Sequence, residues 1–227
     1  MIVIGGPVRN RAWNPEYLKA LRDLDYPDKA FLFLENDSTD ATLSILRQFA
    51  SEWGARVVSE SFPGPGHHRG EYNTDSYARL AAVRNRFVEL FLESDAEYLF
   101  SVDSDVIVPP DILTRLLAIA ERDEKVIVGA AICNVAGCQL DGRVAGNFMI
   151  KKADQIIHPP KYPLAGVIDV DVIGACYLIP RQVFENGVRY GAHMQGEDIA
   201  FCLVASDKGY RMKVLLDSNC EHRMEER

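Results

Sequence analysis

Positive charge is in the minority in this sequence: 25 lysine and arginine residues stand against 33 aspartate and glutamate residues, a formal net charge of −8. Proteins that bind a nucleic acid backbone usually present a basic face, so nucleic acid is not an expected partner. The chain also has no apolar run near the ~20 residues that cross a bilayer. Its first residues, Met1 to Pro7, carry no charged leader. We therefore expect neither a transmembrane segment nor a signal peptide.

Cysteine is scarce as well. The five cysteines are odd in number and scattered: Cys133, Cys138, Cys176, Cys202 and Cys220. Only the first two lie close together, and their spacing is not that of a zinc finger. A disulfide framework is therefore not expected, and we predict reduced, mostly buried thiols in a cytoplasmic protein. Contact with a membrane surface stays open.

The composition is that of a globular protein, and two patterns alternate along the chain. Hydrophobic residues make up 48% and charged residues 26% of the 227 positions. Apolar runs at 2–4, 31–34, 57–58, 98–102 and 126–128 predict strands, and helical patterns cover 15–24, 38 or 40 to 53, 75–93 and 111–121. Asn14 is the expected N-cap of the first helix, with Pro15 in its first turn. Continuous apolar strands between helices predict an α/β fold with a mostly parallel central sheet, flanked by helices. Glycine, proline and short strands after residue 133 predict a small antiparallel portion.

Polar residues follow the predicted strands, at the sheet edge where ligands bind in such folds. The triplet Asp103-Ser104-Asp105 comes directly after the fourth strand. Two carboxylates one residue apart can converge on a divalent cation, and such hard oxygen ligands suit Mg²⁺ or Mn²⁺. The alternative is a turn in which an aspartate only caps the next helix.

Two further acids open a later helix, and a histidine follows the last predicted strand. Glu197 and Asp198 stand after Gly196, where the helix dipole alone favours negative charge. His222 lies beside Glu221, and a single exposed histidine is often only a solvated surface residue. Each signal is weak by itself.

Taken in order, these segments resemble the nucleotide-sugar glycosyltransferases of the GT-A fold, most closely family 2. The segments that carry the resemblance are 35–42 (Glu-Asn-Asp-Ser-Thr-Asp-Ala-Thr), 83–85 (Val-Arg-Asn), 103–105, 174–179 (Gly-Ala-Cys-Tyr-Leu-Ile), 196–198 and 221–222. They span nearly the whole chain. The resemblance implies a single domain over 1–227, with a nucleotide-binding half at 1–105 and an acceptor-binding half at 106–227.

The resemblance also implies roles for residues of the nucleotide-binding half. The turn after the second strand would hold the nucleoside, and the loop after the first strand would flank base and ribose. An arginine of the third helix would reach toward the nucleotide or its phosphates. The implied donor-binding residues are Pro7, Val8, Arg9, Glu35, Asp37, Ser38, Arg84, Asp103 and Ser104. The turn begins Glu-Asn-Asp where family members more often show Asp-Asp-Gly or Asp-Asn-Ser, so the base, and with it the choice between a UDP- and a GDP-sugar, stays open.

For metal and catalysis, the resemblance implies that Asp105 binds Mn²⁺ or Mg²⁺ directly. His222 would be a further ligand, and Asp103 would serve the metal as well as the donor. Asp198 would be the general base that takes the proton of the acceptor hydroxyl, giving inversion at the anomeric carbon. Glu197 would orient that base or contact the acceptor, which is a glycan, a lipid-linked molecule or a small molecule.

Three other functions stay open. Arg84-Asn85 followed by the Asp-x-Asp segment is also similar to fungal mannosyltransferases that retain configuration. A nucleotidyltransferase shares the sheet and the metal, but the segment from Gly5 to Arg9 is short and poor in lysine for its phosphate loop. A catalytically silent nucleotide-binding module is the third. The oligomeric state is not indicated.

Two further features of the sequence each have two possible interpretations. The glycine-rich loop from Ser61 to Asn73 is predicted to be an active-site lid, with His67, His68 and Arg69 at its centre, although solvated loop residues would look the same. Asp169 and Asp171 are expected on one face of a strand, either to bind acceptor hydroxyls or as protective charges on an edge strand.

Overall fold

The computed structural model describes residues 1–64, 74–133 and 146–223. Its strands are β1 (Ile2–Val8), β2 (Lys29–Glu35), β3 (Arg56–Ser59), β4 (Tyr98–Val102), β5 (Val106–Ile107), β6 (Val126–Cys133), β7 (Phe148–Lys152), β8 (Gln155–Ile157), β9 (Val167–Val170), β10 (Val172–Ile173), β11 (Cys176–Pro180) and β12 (Arg211–His222). Its helices are α1 (Pro15–Arg22), α2 (Thr42–Trp53), α3 (Thr74–Leu92), α4 (Ile112–Ala120), α5 (Arg181–Glu185) and α6 (Glu197–Asp207).

The strands of the described residues form one large sheet and one small one. The large sheet runs β3-β2-β1-β4-β11-β6-β12-β5, with β9 also paired to β12. Its first four strands are parallel, and β11 is antiparallel to both of its neighbours. The order β10-β7-β8 makes a separate antiparallel sheet. The predicted α/β fold, a mostly parallel sheet flanked by helices with a small antiparallel portion, is confirmed.

Both faces of the large sheet are covered by apolar side chains. Phe87 of α3 and Phe201 of α6 are among those buried on one face. Leu21 of α1, Phe49 of α2 and Leu116 of α4 are buried on the other. Each fully buried side chain of this size contributes about 1.5–3 kcal/mol to folding. The strands are apolar at nearly every position because helices lie on both sides.

The first strand is longer than its sequence predicts. β1 continues through Gly5, Gly6 and Pro7 to Val8, whereas the apolar run predicts a strand over 2–4 only. A Cβ on Gly5 would lie 1.9 Å from the carbonyl oxygen of Leu32, so only glycine allows β2 to approach this closely. Pairing of β1 with β4 ends at Gly5, and Pro7 therefore needs no ladder hydrogen bond on that side.

α1 begins at Pro15 with Asn14 at the N-cap position, as predicted, whereas the start of α2 differs from expectation. α2 begins at Thr42, not at residue 38 or 40. The Oγ of Ser38 and a carboxylate oxygen of Asp40 accept hydrogen bonds from backbone N–H groups of the loop after β1, which holds this segment out of the helix. Asn14 precedes α1 but makes no side-chain cap, because its amide instead donates to the carbonyl oxygen of Ser104 at 3.1 Å. These bonds fix three loops of the ligand edge to one another.

The acidic pair of the second half does not share one strand. Asp169 lies on β9, is exposed, and pairs with Lys213 at 2.7 Å. Asp171 falls between β9 and β10 and accepts a hydrogen bond from the backbone of Lys151 at 2.6 Å. The expectation of one shared face therefore fails, because the chain breaks its strand between them.

Among the cysteines whose side chains the structure describes, Cys176, Cys202 and Cys220 are free and buried, as predicted. No helix within the described ranges combines the length and the apolar character that crossing a membrane requires.

Candidate active site

The directions of the strands bring segments that are distant in sequence to one edge of the large sheet. β6 and β12 run in the same direction as β1, β2 and β4, so all of their carboxyl ends meet there. β11 runs the opposite way and therefore begins at this edge. The short strand β5 pairs antiparallel with the last residues of β12, with His222 opposite Val106. Residues more than a hundred positions apart thus become neighbours.

Asp105 and His222 meet at this edge, as the sequence predicts. The Nε2 atom of His222 lies 3.6 Å from Oδ2 of Asp105. The shift that aligns them is a register irregularity in β12 between Leu215 and Cys220, where Asn219 adopts a φ of +56°. Burial raises the pKa of Asp105, but the hydrogen bond from His222 and the charge of Arg11 outweigh it, and the pKa is lowered overall. The carboxylate stays ionised at neutral pH.

Arg11 is a neighbour that sequence reasoning missed. Its Nη2 atom donates to the same Oδ2 of Asp105 at 2.9 Å. The guanidinium also lies over the ring of Trp13, 5.5 Å from its centroid. The available signal was its position directly after the first strand, two residues beyond Arg9.

Arg84 lies at the centre of a buried ion network. Its Nη2 donates to both carboxylate oxygens of Asp103, at 2.9 and 3.1 Å, and its Nε donates to Oε1 of Glu197 at 2.7 Å. The Arg84 side chain is only 6% exposed. Arg84 was expected to reach toward the nucleotide, but both carboxylates already engage it. It links the Asp-x-Asp turn to the start of α6.

Asp198 lies next to this network with a different set of partners. Its Oδ1 accepts a hydrogen bond from the Tyr177 hydroxyl at 2.9 Å, and Tyr177 is in turn bonded to the Tyr190 hydroxyl. The Asp198 side chain remains 22% exposed, and Oδ1 lies 3.9 Å from Nε of Arg84. Burial raises the pKa of Asp198 to about 7 against the opposing charge of Arg84. This is the tuning expected of a carboxylate that exchanges protons near neutral pH.

Two acidic residues of the turn after β2, Glu35 and Asp37, stabilise its conformation. Glu35 is buried, and its two carboxylate oxygens accept from the backbone N–H of Ser38 at 2.7 Å and from the Ser59 hydroxyl. Asp37 adopts a φ of +57°, and one of its oxygens accepts from Arg79 at 2.6 Å and from the backbone of Phe62 at 3.0 Å. These bonds lower the pKa of Asp37, the backbone bond from Phe62 most of all. Both acids therefore fix the conformation of the turn after β2.

The remaining donor-site candidates flank this turn. Pro7 and Val8 end β1, and Val8 is buried. Ser104 is buried between the two aspartates of the triplet. Arg9 is half-buried, and its Nε has no hydrogen-bond partner.

The three predicted metal ligands do not form one set. Over the ranges 1–64, 74–133 and 146–223, no three histidine, cysteine or acidic side chains are arranged to hold a metal ion. Asp105 and His222 are together, whereas Asp103 is bound by Arg84. Burial raises the pKa of Asp103, with the charges of Asp105 and Glu197 acting in the same direction. The predicted lid residues His67, His68 and Arg69 lie outside the described residues.

Sequence reasoning missed the residues that surround Asp198. Tyr177 and Tyr190 are buried. Tyr177 lies within the resemblance segment 174–179 but was assigned no role, and Tyr190 carries no sequence signal beyond its apolar surroundings. Gly174 belongs to a segment of the resemblance, and a Cβ on it would lie 2.1 Å from Oδ2 of Asp198. This contact depends on the meeting of β10, β11 and α6.

Comparison with known proteins defines the class. The family model of glycosyl transferase family 2 matches residues 7–187. The chain belongs to glycosyltransferase family 2. No curated protein matches the sequence significantly.

Solved structures show the same fold at low identity. The structure of S. aureus TarS 1-349 in complex with UDP-GlcNAc is 16% identical with a TM-score of 0.67, and the match covers 100% of this chain and 59% of that one. The mannosyltransferase PcManGT from Pyrobaculum calidifontis, in complex with GDP-Man and Mn²⁺, is 17% identical with a TM-score of 0.64, covering 100% and 57%. This chain therefore spans less than two thirds of either neighbour, and the GT-A fold is what they share.

Proposed function

We propose that this protein transfers a sugar from a nucleoside diphosphate sugar to a hydroxyl group of an acceptor, with inversion at the anomeric carbon. The observation that carries this proposal is the position of Asp198. It is a partly exposed carboxylate whose pKa is raised to about 7, and a buried arginine joins it to the Asp-x-Asp turn. Membership of family 2 supports the reaction class.

In this reaction Asp198 is the general base. Its carboxylate accepts the proton of the acceptor hydroxyl while that oxygen attacks the anomeric carbon and the nucleoside diphosphate leaves. Tyr177 holds one carboxylate oxygen, which leaves the other for the acceptor. Glu197 acts through Arg84, so its role is to position the neighbouring base.

The residues at the sheet edge fit a divalent cation. Asp105 offers an oxygen and His222 a nitrogen, a mixed set that suits Mn²⁺ and is compatible with Mg²⁺. These two residues would hold the ion, and two ligands from the protein leave positions for phosphate oxygens. When bound, the ion neutralises the negative charge that develops on the departing diphosphate. Asp103 then serves the site by fixing Arg84.

The donor would lie between the turn after β2 and the loop after β1. Glu35 and Asp37 shape that turn, Ser38 and Ser104 line its approach, and Pro7, Val8 and Arg9 close the other side. Solved neighbours contain UDP-GlcNAc and GDP-Man, which supports a UDP- or a GDP-sugar as donor. A glycan, a lipid-linked molecule or a small molecule is the acceptor, met in the cytoplasm.

The experiment that tests the proposal is a donor screen. The protein is incubated with a mixture of UDP- and GDP-sugars, with Mn²⁺ or with excess chelator, and the products are identified by mass spectrometry. We expect slow hydrolysis of one donor, releasing its nucleoside diphosphate, and a large loss of this release with the chelator. Binding of a nucleoside diphosphate without turnover of any donor would instead support the silent binding module.

A further inference from the structure

Two arginines after β1 carry buried donors that the protein does not satisfy. Within the described part of the chain, the only buried side-chain nitrogen or oxygen atoms without a hydrogen-bond partner are Nε of Arg9 and Nε of Arg11. Buried polar groups are nearly always paired, so each exception calls for an explanation. Two unsatisfied guanidinium donors, two residues apart at the ligand edge of the sheet, indicate an anion that comes from outside the protein.

Hydrogen bonds fix the backbone of Arg11, whereas its side chain is free to bind a different partner. The backbone N–H of Arg11 donates to Oγ1 of Thr42 at 2.7 Å, and the neighbouring Asn10 and Ala12 are bonded to the turn after β2. The guanidinium is 29% exposed and is held by one hydrogen bond to Asp105 and by the face of Trp13. The side chain can therefore change partner without movement of the loop.

Arg11 and His222 both approach the same oxygen of Asp105. Oδ2 of Asp105 accepts from Arg11 at 2.9 Å and lies 3.6 Å from Nε2 of His222. A divalent cation between Asp105 and His222 would come close to the positive guanidinium, and the two charges would repel each other. The cation and the guanidinium therefore cannot both stay beside Asp105.

We propose that Arg11 is the resident counter-ion of Asp105 in the ligand-free protein and that it transfers to the diphosphate of the donor when the metal ion binds. This inference rests on the proposed function. The diphosphate supplies acceptors for the Arg11 donors and removes the repulsion in the same step. Metal and donor therefore bind cooperatively, and each raises the affinity for the other by the same factor. Arg11 weakens the binding of a metal ion before a donor is present.

The test measures Mn²⁺ binding directly, through the electron paramagnetic resonance signal of the free ion. The parent protein is expected to bind Mn²⁺ weakly alone and far more tightly with UDP or GDP. Arg11→Gln removes the competing charge, so it should bind Mn²⁺ alone about tenfold more tightly than the parent. Its affinity for the nucleoside diphosphate in the presence of Mn²⁺ should fall by a similar factor.

The opposite signs of these two effects distinguish the inference from a general loss of structure. Arg115→Gln is the matched control, because Arg115 is 28% exposed, close to the 29% of Arg11, and pairs with Asp217 at 2.7 Å. It should change neither affinity. Asp105→Asn should abolish Mn²⁺ binding in both backgrounds.

Each result has a defined meaning. Equal Mn²⁺ affinities of the parent and Arg11→Gln, or no binding by either, overturn the role of Arg11. If donor turnover in the parent still depends on Mn²⁺, the proposed function survives that outcome. If turnover proceeds unchanged in excess chelator, the metal part of the proposed function fails as well.

Discussion

Gly174 lies directly against Asp198. A Cβ atom built on Gly174 would come within 2.1 Å of Oδ2 and 2.7 Å of Cγ of the Asp198 side chain. Gly174 also holds the loop before β11, since its N–H donates to the carbonyl oxygen of Asn147 at 3.0 Å and its own carbonyl accepts from the Asn147 amide at 3.1 Å. The proposed base thus fills the space of a missing side chain.

Gly174→Ala should therefore displace the Asp198 carboxylate. The added methyl group cannot share that space, and the fixed loop leaves the aspartate to move. We expect kcat to fall by ~10²–10⁴, the range for loss of a general base, while the affinity for UDP or GDP changes by only a few fold. Gly191→Ala is the control, because its Cβ would meet only the Cβ of Ala200, at 3.4 Å. Equal activity of the two variants would contradict the displacement of Asp198 by a methyl group at position 174.

Asp198→Asn separates binding from chemistry. The amide keeps the size of the side chain but accepts no proton at neutral pH. Donor affinity, measured by calorimetry, should stay within a few fold, while kcat falls by ~10²–10⁴. Asp207→Asn, an exposed position at the end of the same helix, should leave both unchanged. A product with retained configuration would support the retaining mechanism instead.

The raised pKa of Asp198 predicts a pH profile. A general base acts when ionised, so kcat/KM should rise with pH through about 7 and then level off. The hydrogen bond from Tyr177 lowers this pKa, against the larger effect of burial. Tyr177→Phe should therefore move the rising limb to higher pH, whereas Tyr210→Phe, a buried tyrosine bonded to Asn186, should not. A limb unmoved in Tyr177→Phe would contradict this assignment.

The same carboxyl affects stability with a sign that can be checked. Its pKa is higher in the folded protein than its ordinary value of 3.8, so folding favours the protonated form. Its contribution to the free energy of unfolding is greatest below pH 3.8 and declines as the pH rises toward 7. In Asp198→Asn, urea unfolding at pH 5 and at pH 8 should show that this decline is lost.

Arg84→Met should destabilise the protein strongly. It would leave the carboxylates of Asp103 and Glu197 near each other without a counter-ion, a change that costs about 3–5 kcal/mol for buried pairs. Arg56 pairs with Glu93 at the surface, and Arg56→Met should cost at most ~1 kcal/mol. The free energy of unfolding in urea measures both. Similar losses in the two variants would mean that the network is not a unit of the fold.

Metal binding through Asp105 predicts a conditional shift of the melting temperature. Mn²⁺ should raise the Tm of the parent mainly when UDP or GDP is present, because a ligand stabilises only the state that binds it. Asp105→Ala should lose this added shift, whereas Asp111→Ala, an exposed aspartate before α4, should keep it. The same shift in Asp105→Ala as in the parent would exclude Asp105 as a ligand.

Much of the fold follows from local pattern. The apolar run 98–102 became β4 with no change of bounds, because a strand buried on both faces shows its whole length as apolar sequence. α2 was expected too early, since its start depends on hydrogen bonds from a loop that is distant in sequence. Local patterns do not record such bonds.

For the candidate site, too, local sequence indicated some of the residues, whereas the contacts between them depend on the tertiary fold. The acids at 103, 105 and 198 were candidates because acidic residues after strands or at helix starts stand out in a sequence. Which of them meet depended on β11 reversing direction and on the irregular end of β12. Arg84 was a candidate site residue by its sequence segment, but its two carboxylate partners are set by the tertiary fold alone. Its role as a bridge was therefore not readable from the sequence.

The bridge has a consequence for chimeras made by exchanging segments between members of this family. Arg84 and Asp103 come from the half proposed to bind the donor, and Glu197 comes from the half proposed to bind the acceptor. A chimera that joins the first half of one relative to the second half of another at residue 105 would keep the pairing only if both parents carry these three residues. Compatibility of chimeric transferases should therefore depend on this buried triad more than on the overall identity of the two parents.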